Sequence, residues 1–157
     1  MIKIEKNFLH QKDFINLERL TLDNQFNYYI NFSNSFCFFH HVLYLNGKPT
    51  SPFTHLIKSI KEGVSGEIIN AFIHMVPKTS EKIKYSFNDN TSIKDTYTAI
   101  YYLNNNNGVL DIYDYGEINP EENKLCIYDT NFEAQNFTCT DNTVKSYIYL
   151  EFTPNMV

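Results

Sequence analysis

From Glu67 onward the chain falls into strand-length segments with no helical repeat, and this constrains the fold more than any other feature. Segments at about 68–76, 82–88, 97–103, 109–113, 124–129, 133–138 and 144–152 are rich in Ile, Val, Tyr, Phe and Thr. Branched and aromatic side chains of this kind fit a pleated, half-buried surface. Turn signals at Pro77, Asn88-Asp89-Asn90, Asn104 to Gly108 and Asn119-Pro120 punctuate the segments. Many short strands of this kind pair antiparallel and pack as two sheets or close on themselves.

The first part of the chain reads differently. Residues 11–22 form a short helix in which Phe14, Leu17 and Leu20 share one face. Two strands are expected at 26–32 and 36–45, with a polar turn at Ser33-Asn34-Ser35 between them. The second is apolar on both faces, which places it centrally or beneath a helix. Asn46-Gly47 marks a tight turn. The clearest helix spans 51–62: Ser51 caps it, Pro52 suits its first position and Gly63 is expected to end it. Phe53, Leu56, Ile57 and Ile60 make one apolar stripe along it. The asparagines at 104–107 are expected to supply left-handed backbone angles in a turn.

At 157 residues the chain is read as a single domain with a sizeable core. One or two helices followed by many strands predict a mainly β fold with a helix packed on a jelly-roll-like double sheet. The 13 Phe and 12 Tyr reinforce the β expectation. The net charge is -5 and the positive residues form no stripe, which argues against a nucleic-acid partner. No apolar run approaches the ~20 residues of a membrane span, and Met1 to Lys6 does not read as a signal peptide. Cys37, Cys126 and Cys139 form no close pair and leave an odd thiol, so a reduced compartment is expected. No G-x-S-x-G elbow and no phosphate-binding glycine loop occur. Cys126, between Leu125 and Ile127, reads as core. The acidic residues Asp111, Asp114, Glu117, Glu121 and Glu122 read as a solvated loop.

The element order carries a family likeness. Phe87-Asn88-Asp89 closes one strand, Tyr97 to Leu103 forms the next, and an Asn-rich turn closes on Gly108. Asn123 to Asp129 and a last strand from Lys145 to Phe152 follow. From about Phe26 to Phe152 this layout resembles the small prolyl-4-hydroxylase-like members of the 2-oxoglutarate- and iron(II)-dependent oxygenase superfamily, a group well represented in bacteriophages. The resemblance implies a double-stranded β-helix, the jelly-roll or cupin-like barrel, over about 67–152, with N-terminal support from about 1–66. Members hold iron with two His and one carboxylate, leaving three positions for 2-oxoglutarate and oxygen. The first His and the carboxylate sit two apart on one strand, so both point into the barrel.

Carried over residue by residue, Asp89 takes the carboxylate position, while Phe87 and Gln135 occupy the two His positions. Lys145 falls where a basic residue clamps the far carboxylate of the cosubstrate, and Tyr101 and Tyr102 lie on a strand that can reach it. Leu110 stands where relatives often carry Thr. Phe87 has no lone pair and a Gln amide is a poor neutral ligand, so Asp89 is read as vestigial. His74 is the best substitute ligand. His10, His40, His41 and His55 read as structural or surface residues, and no HxD, HxE or HxxxH spacing exists.

Three readings follow. In the first, the chain is a non-catalytic member that uses neither iron nor 2-oxoglutarate. It serves as a binding or structural module, phage-encoded or virion-associated, in the host cytoplasm or the virion. Its partners are then proteins, through self-association or other virion components, with no nucleic acid and no membrane. Lys145, with Tyr101, retains at most a dicarboxylate-like anion. In the second, an active Fe(II)/2-oxoglutarate-dependent hydroxylase uses Asp89, His74 and Gln135 as unorthodox ligands. In the third, the jelly roll is unrelated to oxygenases, and Phe87, Asp89, Gln135 and Lys145 do not converge.

Overall fold

The strand-length segments after Glu67 become the two facing sheets of a double-stranded β-helix. The computed structural model describes residues 1–23, 26–32, 36–86 and 95–155. In chain order the elements begin with β1 (Ile2–Glu5), α1 (Gln11–Thr21), β2 (Tyr29–Phe32), β3 (Cys37–Leu45) and β4 (Lys48–Pro49). A 3-10 segment (Pro52–Ile57) leads into α2 (Lys58–Val64). The barrel proper follows as β5 (Gly66–Pro77), β6 (Lys84–Tyr85), β7 (Tyr97–Tyr102), β8 (Leu110–Ile112), β9 (Gly116–Ile118), β10 (Lys124–Asp129), β11 (Ala134–Phe137) and β12 (Val144–Pro154).

The large sheet runs β1-β10-β7-β12-β5-β3-β2, with β4 also on β3, and the small sheet runs β6-β11-β8-β9. From β5 on, the chain passes back and forth between the sheets, which defines the double-stranded β-helix. The pairing of β12 with β5, from Val144↔Pro77 to Pro154↔Gly66, is the spine of the large sheet.

Two cores lie on opposite faces of that sheet. On one face Phe14 and Leu17 of α1, with Ile57, Ile60 and Val64, cover Ala71, Ile73, Ala99, Tyr101, Ile148 and Leu150. Between the sheets Val76, Tyr85, Ile100, Tyr102, Leu110, Ile112, Cys126 and Tyr147 close together. Full burial of a large apolar side chain contributes about 1.5–3 kcal/mol. Helices as short as α1 and α2 do not persist alone in water, so this docking holds them in place.

Several local expectations need correction. In α1, Thr21 takes the buried position and Leu20 stays 42% exposed. Ser51 does accept from the Phe53 amide at 3.1 Å, yet the first turn winds as a 3-10 helix. The helix then runs past Gly63 to Val64 and ends on Ser65, which is left-handed at φ 51. Gly63 serves a different purpose: it lets the Phe8 ring pack where a β-carbon would otherwise stand. The asparagines at 104–107 adopt no positive φ. Their side chains tie the turn to the start of β12 and the segment before it. Asn104 donates to Val144 O and accepts from the Ser146 amide, and Asn107 exchanges two bonds with Thr140. Gly108 permits this approach, because a β-carbon would lie 2.6 Å from Phe137 O. Asn46-Gly47 forms the expected turn, with φ 51 and 75. Strands β1, β4 and β9 lie outside the segments expected from the sequence. No described helix is long and apolar enough to cross a membrane.

Candidate functional site

The candidate site lies between the sheets where β12 begins. Strand alternation sends Lys145 and Tyr147 into the space between the sheets and turns Ile148 and Leu150 toward the helices. On neighbouring strands Tyr147 pairs with His74 of β5 and with Tyr102 of β7, and His74 pairs with His40 of β3. The small sheet contributes Tyr85 and Asn136, which pair with each other.

Lys145 is fully buried. Its Nζ donates to Asn136 Oδ1 at 3.0 Å and to Phe137 O at 3.1 Å. The rings of Tyr85 and Tyr147 flank the amine, with centroids 5.5 and 5.4 Å away. Their hydroxyls meet each other at 3.2 Å. Burial is the dominant influence on this lysine and lowers its pKa from 10.5 to about 7; Lys82 adds to the effect and Cys139 opposes it. Burial also raises Tyr147 and Tyr102 well above the usual phenol value. The Tyr102 hydroxyl has no hydrogen-bond partner among the described residues.

His74 is enclosed by the rings of Phe38, Phe72, Tyr147 and Tyr149. Burial, with a smaller contribution from His40, lowers its pKa to about 3, so it is a neutral imidazole. His41 is a core residue: its Nδ1 donates to Asn27 O and its Nε2 accepts from Ser51 Oγ, both at 2.6 Å.

Two expected site residues lie elsewhere. Tyr101 is on the helix side of the sheet, where its hydroxyl donates to Asn123 Oδ1 at 2.7 Å and its ring meets Phe8. The tyrosine of β7 that enters the barrel is Tyr102. Gln135 is half-buried beside Asp111 on the outer face of the small sheet, with its amide 3.5 Å from Glu133. The β11 residue that reaches Lys145 is Asn136. Leu110 is in the barrel core. Phe87 and Asp89 lie outside the described residues.

Among the described residues the donor set does not fit iron with 2-oxoglutarate. The inward position on β11 carries a neutral amide that already holds Lys145. No cluster of three His, Cys, Asp or Glu suited to a metal occurs among the described residues. A distal carboxylate needs a charged, accessible amine, whereas that of Lys145 is committed to Asn136 and Phe137 between two rings. Sequence reasoning missed Tyr85, Asn136 and Tyr147. The alternation Lys145-x-Tyr147 was a usable signal for the last.

The sheet order and the strand alternation define a double-stranded β-helix of the type that 2-oxoglutarate/iron(II) oxygenases adopt. Solved structures bear this out. A 2OG-Fe(II) oxygenase family oxidoreductase from Burkholderia pseudomallei superposes with a TM-score of 0.69 at 10% identity, over 99% of this chain and 88% of that one. A Trichoplax adhaerens prolyl hydroxylase, solved with a hypoxia inducible factor peptide fragment, gives 0.65 at 16% identity over 97% and 83%. A Pseudomonas putida prolyl-4-hydroxylase gives 0.63 at 12% over 98% and 92%. No family model matches the chain, and no curated protein matches it in sequence. The chain therefore has the oxygenase fold over nearly its whole length.

Proposed function

We propose that this chain is a non-catalytic protein on the oxygenase fold, acting as a binding or structural module for a protein partner. The observation that carries this reading is the state of Lys145. The residue at the cosubstrate clamp position is buried, bonded to Asn136 and Phe137, and sandwiched between Tyr85 and Tyr147. Two aromatic rings and one amide surround the amine that would have to reach a dicarboxylate. Those contacts favour a structural role for the lysine, since a buried polar group is stabilised by its hydrogen-bond partners. A phage-encoded or virion-associated setting, which the resemblance to small prolyl-4-hydroxylase-like proteins suggests, belongs to the same reading.

His74 supports a second reading, since a neutral imidazole inside the barrel is chemically able to bind a metal. In that case the chain is an Fe(II)/2-oxoglutarate hydroxylase with unorthodox ligands. Anaerobic titration with Fe(II) and 2-oxoglutarate separates the two. The non-catalytic reading expects no visible charge-transfer band and no succinate from folded protein. A saturable band at one iron per chain would overturn it.

A further inference from the structure

The edge of a β-sheet offers unpaired backbone N–H and C=O groups, and soluble proteins blunt such edges with charges, proline or bulges. The described edge strands here follow that rule with one exception. β1 carries Lys3 and Glu5, and β4 carries Lys48 and Pro49. In the small sheet β6 carries Lys84 and β9 carries Glu117. β2, Tyr-Ile-Asn-Phe, carries neither charge nor proline. Among the described residues it pairs on one side only, with β3, from Tyr29↔His40 to Phe32↔Cys37. Its apolar side chains are the opposite of blunted: Tyr29, Ile30 and Phe32 are 65%, 54% and 83% exposed.

We propose that β2 is a homotypic docking edge, to which a second copy of this chain adds its own β2 antiparallel about a two-fold axis. The sheets of the two copies then become continuous. Charge selects this occupant. Each copy carries -5, yet from Asn24 to Gly47 there is no Asp, Glu, Lys or Arg. Two like-charged molecules therefore meet where neither brings charge, and the strand offers nothing to select a charged partner. Alternate residues of a strand direct their backbone groups to the same side, so two copies of β2 exchange about four hydrogen bonds. A two-fold operation makes such a patch self-complementary. Ile30 and Phe32 share one face and meet their counterparts there. The exposed parts of the Tyr29 and Phe32 rings offer roughly 300 Å² per copy, from the area such side chains carry. That places the contact below the standard interface of about 1,200–2,000 Å², so the dimer is reversible and concentration-dependent. The inference rests on the sheet edge and not on whether the barrel binds iron.

Sedimentation velocity over a concentration series tests it. The wild type should move from monomer to dimer as concentration rises. Ile30→Lys should remain monomeric, while Ile4→Lys, at the opposite edge, should dimerise like the wild type. A second measurement covers any failure of Ile30→Lys to fold. Ile30→Cys and Asn31→Cys, each in a Cys37→Ser background, place a thiol next to the two-fold axis, so at least one should cross-link on mild oxidation. A wild type that stays monomeric throughout would overturn the proposal and leave an extended segment of another protein as the occupant. Dimers that survive Ile30→Lys, or failure of both cysteine variants to cross-link, would also overturn it. Fe(II) binding would refute the non-catalytic reading while leaving this result untouched.

Discussion

Lys145→Met is the sharpest probe of the barrel interior, because it keeps the apolar stem and removes only the amine. In the native protein the amine titrates at about 7, against 10.5 for the free side chain. At about 1.4 kcal/mol per pKa unit, the interval is worth roughly 5 kcal/mol. Between the two values the unfolded chain binds a proton that the folded chain does not, so stability rises with pH. The cost of burying an ammonium is fully present below about pH 7 and disappears toward 10.5. From pH 7.5 to 9.5 the wild type should gain roughly 2–3 kcal/mol relative to Lys145→Met. The variant also leaves Asn136 Oδ1 and Phe137 O without their donor, at about 1–3 kcal/mol per buried group. That offset does not vary with pH, so the difference in slope is diagnostic. Cys126, raised by burial, titrates in either protein and cancels, whereas Cys139 interacts with Lys145 and is therefore replaced by Ser in both proteins. Urea unfolding followed by circular dichroism at the two pH values supplies the numbers, since the chain has no Trp. Parallel stability curves would refute the reasoning and indicate a solvated, charged lysine ready for an anion.

Two further substitutions examine a wall of the site and the helix side of the sheet behind it. Tyr102→Phe removes a buried hydroxyl with no hydrogen-bond partner among the described residues, so stability should hold or rise by about 1 kcal/mol; a loss larger than that in thermal melts would contradict this placement. Asn123→Ala removes bonds to Leu9 N, Leu9 O and the Tyr101 hydroxyl and strains a backbone at φ 57. It should cost roughly 2–4 kcal/mol and speed proteolysis of the first residues, whereas unchanged cleavage would show that the clamp is dispensable.

Strand positions were legible where turn chemistry bounded them, as at β7, β10 and β12. The phase of a strand was legible only where its two faces differ in chemistry. β7, Tyr-Thr-Ala-Ile-Tyr-Tyr, is covered on both sides, so nothing in its composition tells Tyr101 from Tyr102. β11, Ala-Gln-Asn-Phe, lacks alternation for the opposite reason: its central pair is polar, and one residue of slip exchanges Gln135 for Asn136. The tethering of the Asn turn was hidden too, because side-chain bonding depends on what the fold brings near. The edge strand β1 is brief, and its role depends on a partner more than a hundred residues away, which local pattern does not reveal.

That last pairing has a temporal side. Ile2 lies opposite Tyr128, Leu9 is tied to Asn123, and Gly66 lies opposite Pro154. Segments made early therefore wait for partners made much later, and little of the large sheet can close before β10 and β12 are synthesised. Loop-closure entropy must be met before these distant contacts return any stabilisation, which places the chain among slow-folding topologies. Until then the uncharged β2–β3 hairpin stands exposed in the nascent chain, the interval in which helper proteins would find the most to bind.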